Sequence, residues 1–100
     1  SVHPEHAPVK LYPSNRMATW HCEPVSLTNK EFWLLEMLVR RKNQVLTRSQ
    51  LEEALYTFDV EVESNAVEVY VHYLRRKLSP DLILTVRGAG YQLGPEYRNV

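Results

Sequence analysis

The spacing of apolar positions along the chain changes from a period of about two to one of about 3.6 and back again. Near the start, Val9-Lys10-Leu11-Tyr12, a Pro13-Ser14-Asn15 turn, Arg16 to His21 and Glu23 to Leu27 form short runs separated by turn residues. They predict a small antiparallel meander, with Pro24 restricting the last run to a strand's start or a sheet edge because proline has no N–H to donate. Thr28-Asn29-Lys30-Glu31 then has the form of a capping box and opens a helix to about Lys42. Phe32, Leu34, Leu35, Leu38 and Val39 cover a wide arc of that helix, and Trp33 and Met37 extend it to another side. Such a helix is expected between the N-terminal sheet and later helices. Arg40-Arg41-Lys42 suits the negative end of its dipole.

A second capping box, Thr47-Arg48-Ser49-Gln50, starts a shorter helix with Leu51 and Leu55 at i, i+4, fading near Tyr56. From Thr57 to Glu63 β-branched or aromatic residues alternate with acids. That period suits a strand, but without a turn signal or a pairing neighbour an exposed acidic loop is the preferred reading. Ser64 is read as the cap of a third helix reaching Leu78, stopped by Ser79-Pro80. At 100° per residue, Val67, Val71, Leu74 and Leu78 fall in one stripe toward the core. Asn65, Val69, His72, Tyr73 and Arg76 lie opposite, with Glu68, Arg75 and Lys77 on the flanks. Ile83 to Leu93 reads as two strands around Gly88-Ala89-Gly90 with Arg87 at the tip. Because a strand and not a helix follows, this Gly-x-Gly is a turn rather than a phosphate loop.

One hundred residues with 44% apolar and 24% charged content suffice for one domain and one modest core. Residues 9–95 are assigned to it, 1–8 to a linker or cloning remnant and 96–100 to a C-terminal tail. No apolar run reaches the roughly 20 residues of a membrane span and no signal-peptide layout is present, so a cytoplasmic protein without a membrane partner is expected. Cys22 is the single cysteine, and no second Cys/His pair follows at ligand spacing, which leaves neither a metal site nor a cofactor to propose. The net charge is zero, which by itself argues against nucleic acid. The charge is segregated, however. Residues 1–51 carry seven bases against four acids, 52–63 five acids and no base, and 64–100 five bases against three acids. A basic face and an acidic face on one small body are therefore allowed.

A meander, three helices and a hairpin give an α+β fold, a winged helix-turn-helix with an N-terminal antiparallel sheet and a C-terminal β-hairpin wing. An α-helix fits the major groove of DNA, and a hairpin with a basic tip reaches the narrow minor groove beside it. The third helix is thereby the recognition helix and Arg87 the wing contact.

Three ordered blocks carry a more specific likeness: Leu27-Thr28-x-Lys30-Glu31-Phe32-x-Leu34-Leu35, the run from Ser64-Asn65 to Leu74-Arg75-Arg76-Lys77-Leu78, and Thr85-Val86-Arg87-Gly88-x-Gly90-Tyr91. Over roughly 9–93 the chain resembles the output domain of OmpR/PhoB-type response regulators, and Glu63-Ser64-Asn65-Ala66-Val67-Glu68-Val69 is most similar to the branch with the polymyxin-resistance and quorum-sensing regulators. The resemblance implies an upstream receiver domain, phosphorylated through a sensor histidine kinase, whose activation promotes a homodimer. It also implies head-to-tail binding to direct repeats in double-stranded DNA, and RNA polymerase contact through the loop before the third helix, here Phe58, Asp59, Glu61 and Glu63. Carried over by position, Asn65, Ala66, Glu68, Val69 and Tyr73 become base-contacting candidates beside Arg87. His72, Arg75, Arg76, Lys77 and Tyr91 become phosphate-contacting candidates. Ala66 and Tyr73 depart from the hydroxyl or Arg that base-reading members often place there. Glu68 has two readings, recognition of cytosine or an intrahelical pair with His72 or Arg75.

Three rivals remain. A winged helix can serve protein binding, although a basic wing tip and the Arg75-Arg76-Lys77 run speak against it. An enzyme would need a converging acid, base or nucleophile, and the four His residues and Cys22 are scattered. A membrane-anchored one-component regulator would carry the same output domain.

Overall fold

The computed structural model describes residues 8–57 and 65–98. Strands β1 (Val9–Tyr12), β2 (Met17–Trp20) and β3 (Glu23–Val25) form an antiparallel sheet in the order β1-β2-β3. Val9 faces Trp20, and Leu11 faces Ala18, which faces Val25. This alternation sends Val9 and Ala18 into the core and leaves Tyr12 and Met17, a cross-strand pair, on the outer face. Pro24 sits on the edge strand, as its missing N–H requires. The two-residue turn between β2 and β3 places His21 and Cys22 at φ 49° and 69°, the primed geometry that matches strand twist.

Helix α1 spans Asn29–Arg40, α2 Arg48–Tyr56 and α3 Ala66–Lys77. Both expected capping boxes form. Thr28 Oγ1 accepts from Glu31 N and Glu31 Oε1 from Thr28 N, and Thr47 and Gln50 exchange the same pair of bonds. Asn65 precedes α3 without a side-chain cap hydrogen bond. Ser64, expected to cap it, lies outside the described residues, as do Phe58, Asp59, Glu61 and Glu63 of the acidic loop.

The core gathers Leu34, Leu35 and Leu38 from α1, Leu51 and Leu55 from α2, Val67, Val71 and Leu74 from α3, and Leu82, Ile83 and Leu93 near the C-terminus. Each fully buried branched side chain contributes about 1.5 to 3 kcal/mol relative to exposure. Leu78, expected to end the α3 stripe, is only half-buried and packs at its margin.

The wing is β4 (Ile83–Val86) paired with β5 (Gly90–Leu93). Its turn is closed by Ala89 N donating to Val86 O at 2.9 Å, with Gly88 at φ 76°. On the other side of β5, Tyr91 and Leu46 exchange both backbone bonds, at 2.8 and 2.9 Å, which ties the hairpin to the segment ahead of α2. Gly90, at φ 150°, lies so close that a Cβ there would be driven into the Leu46 carbonyl.

Pro95–Tyr97, which straddle the expected boundary between domain and tail at residue 95, form a 3₁₀ turn that buries Tyr97 and sets its ring 5.6 Å from that of Trp20. The proline and the single aromatic carry no periodic signal in so short a segment.

Candidate nucleic-acid interface

Helix α3 divides as its periodicity requires. Val67, Val71 and Leu74 are buried, whereas Asn65, His72, Tyr73 and Arg76 are exposed and Val69 is half-buried. The His72 and Tyr73 rings lie side by side, centroids 5.9 Å apart. Arg87 stands exposed in the wing turn, and Tyr91 is half-buried at its base. A groove of about 380 Å³ separates the start of α3 from the wing, lined by Arg48, Glu68, Thr85, Tyr91 and the turn backbone. The groove thus sets the start of α3 against the wing.

Four candidates are placed differently from expectation. Ala66 is 7% exposed and belongs to the core cluster, because the first turn of α3 points its small side chain inward. Little of its side chain is therefore offered to a partner. Arg75, expected on a phosphate, turns back onto the wing: Nε and Nη2 donate to Ile83 O at 3.1 and 2.6 Å, and Nη2 to Thr85 Oγ1 at 2.9 Å. Lys77 is likewise engaged inward, its Nζ 2.6 Å from Glu31 Oε1 and 3.1 Å from Ser26 O. Glu68 pairs neither with His72 nor with Arg75. Its Oε1 lies 3.0 Å from Nε of Arg48 on α2, an ion pair that lacks hydrogen-bond alignment.

Arg48 is the residue that sequence reasoning missed. Its place in the second capping box gives no sign of a further role, yet its Nε lies 3.0 Å from both Glu52 and Glu68 at the mouth of the groove. The i,i+4 spacing to Glu52 was a usable signal; the contact across to α3 was not. At the far end of α1, Arg40 meets Glu36 at 3.4 Å, and Arg41 forms the C-cap, in keeping with a helix-end role for that basic run. Cys22 is exposed on its turn. Among the described residues no cluster of His, Cys, Asp or Glu could hold a metal ion, and no helix is long and apolar enough to cross a membrane.

An N-terminal sheet, three helices with α3 carrying an exposed polar face, and a hairpin beside it define a winged helix-turn-helix domain of the OmpR/PhoB type. Residues 22–93 match the family described as "Transcriptional regulatory protein, C terminal", and the chain belongs to that family. It is 57% identical over 89 residues to the transcriptional regulatory protein QseB of Escherichia coli O157:H7, covering 89% of this chain and 41% of that protein. It is 46% identical over 86 residues to the response regulator PmrA of Pseudomonas aeruginosa, covering 86% and 39%. The chain thus spans about two fifths of these relatives. Among solved structures, the DNA-binding domain of CpxR from E. coli superposes with a TM-score of 0.75 at 29% identity, covering 88% of this chain and 91% of that one. The Klebsiella pneumoniae RstA DNA-binding domain, solved in complex with the RstA box, gives 0.74 at 28%, covering 88% and 92%.

Proposed function

We propose that the chain is the DNA-binding output domain of a two-component response regulator, and not an enzyme. In this reading α3 enters the major groove and Arg87 the adjacent minor groove. The observation that carries it is how the basic residues of α3 are divided. Arg75 and Lys77 are consumed by the fold, while Arg76, His72, Tyr73 and Asn65 stay exposed on the outward face, beside the exposed Arg87. An exposed surface of hydrogen-bonding and cationic groups is what phosphates and base edges require. The RstA domain's complex with its box supports the same use of this fold.

Asn65, Val69, Tyr73 and Arg87 are the base-contacting group. His72 and Arg76 are the phosphate-contacting group, joined by Tyr91 to the extent that its half-buried ring allows. Glu68 reads cytosine only by leaving Arg48. The natural protein, in this reading, acts in the cytoplasm as a homodimer with a receiver domain under a sensor histidine kinase, and its acidic loop of Asp59, Glu61 and Glu63 faces RNA polymerase.

Selection of bound sequences from random duplexes tests the proposal. It is expected to return a direct repeat with half-sites about one helical turn, roughly 10 to 11 bp, apart. Moving one half-site by about 5 bp should remove the gain of the repeat. A pool with no enriched sequence would rule out specific DNA recognition, and equal affinity at both spacings would rule out the head-to-tail arrangement.

A further inference from the structure

We propose that Arg75 is a positioning residue for DNA binding: its guanidinium sets the wing's distance and tilt relative to α3, so that the helix and Arg87 reach neighbouring grooves together. This rests on the reading of α3 and Arg87 given above. It starts from the register of the hairpin. Gly94 N donates to Leu82 O at 2.7 Å, so the directly opposed pairs that carry ladder bonds are Leu82–Gly94, Leu84–Gln92 and Val86–Gly90. The intervening residues turn their backbone groups outward. On β5 those are Tyr91, bonded to Leu46, and Leu93, whose carbonyl accepts from Arg98 Nε at 2.9 Å.

On β4 they are Ile83 and Thr85, on an edge without a neighbouring strand among the described residues. Arg75 occupies that edge. Its fork covers the Ile83 carbonyl with two donors and takes the Thr85 hydroxyl with one of them. Thr85 and Tyr91 are directly opposed, so the wing is fastened on both strands at the same level, by Leu46 on one side and Arg75 on the other. Beyond that level, among the described residues, the ladder, the turn and the close approach of Gly90 to Leu46 hold Val86 to Gly90, and Arg87 sits on this overhang. A hairpin fastened on one strand alone can pivot about it. Arg75, rooted in the recognition helix itself, removes that freedom and thereby fixes how far apart the two DNA-reading elements stand. The separation of neighbouring grooves is fixed by the duplex, so a wing free to pivot loses orientation entropy on binding and a fastened one does not.

The experiment is a double-mutant cycle on the selected operator duplex, at a temperature where thermal melts show every variant folded. In the parent, Arg87→Ala is expected to weaken binding about tenfold. In the Arg75→Gln background the same change is expected to weaken it less than about twofold, because the wing is already misplaced. The salt slope of Arg75→Gln should match the parent's, whereas a lost phosphate contact would lower it by about one. Arg75→Lys, which keeps a donor toward Ile83, should retain part of the Arg87 effect. An undiminished tenfold penalty in Arg75→Gln, or a slope reduced by one, would overturn the positioning role while leaving the wing's groove assignment standing. An Arg87→Ala variant that binds like the parent would overturn that assignment and this role with it.

Discussion

Lys77 Nζ sits 2.6 Å from Glu31 Oε1, joining the last turn of α3 to the first turn of α1 across 46 residues of sequence. The same carboxylate oxygen accepts from Thr28 N at 2.9 Å, so one buried group, 1% exposed, both caps α1 and anchors α3. The lysine side chain is 37% exposed, and solvent screens its half of the pair.

Lys77→Met is therefore expected to act on stability before DNA binding. Removing the ammonium leaves the Glu31 carboxylate buried with its cap bond alone, at a cost of about 1 to 3 kcal/mol after allowance for the exposed lysine. A domain of this size loses about 4 to 8 °C in Tm per kcal/mol. Thermal denaturation should show that loss, and the salt slope of DNA binding should stay at the parent value. A normal Tm with a reduced slope would return Lys77 to the phosphate-contacting group.

Arg76 should behave in the opposite way. It is exposed and makes no hydrogen bond or ion pair among the described residues, so Arg76→Ala should change stability by no more than about 0.5 kcal/mol. Affinity should fall for operator and random duplex alike, with the salt slope lower by about one. A loss confined to one base position would make Arg76 a base reader.

The two wing glycines separate conformational strain from collision. At Gly88 a Cβ would meet nothing within 4 Å, so Gly88→Ala costs only the left-handed φ of 76°, about 1 to 2 kcal/mol. Gly88→Asn should recover part of that, since Asn tolerates this region. At Gly90 a Cβ would strike the Leu46 carbonyl, and Gly90→Ala should cost more than about 3 kcal/mol by adding overpacking to strain. Chemical denaturation of the three variants gives the order. Equal losses for the two alanine variants would mean that the Leu46 to Tyr91 bridge yields easily.

Most of the architecture is legible in the sequence because it is written in local chemistry. The boxes at Thr28–Glu31 and Thr47–Gln50 mark helix starts through bonds three residues apart, and the stripe of Val67, Val71 and Leu74 marks the buried face of α3. The division of labour among the α3 bases is not legible that way. Arg75, Arg76 and Lys77 are consecutive cations of similar reach. Which one stays exposed depends on the Ile83 carbonyl, the Glu31 carboxylate and the Ser26 carbonyl, brought alongside only by the tertiary fold. Ala66 enters the candidate set through the resemblance alone, and its burial in the first turn of α3 is set by the packing of that turn on the core. The Arg48 to Glu68 pair crosses from one helix to the next, beyond any spacing rule within one element.

The contact between Trp20 and Tyr97 acts as a clasp between the two margins of the domain. Both residues fall outside the stretch 22–93 by which the family is matched, and they are held together all the same. Val9 is paired with Trp20 in the sheet, so the start of β1 and the turn that holds Tyr97 share this contact. The first strand and the last turn are thereby fastened to one another, so the two ends of the described fold form one packed margin instead of two independent ones.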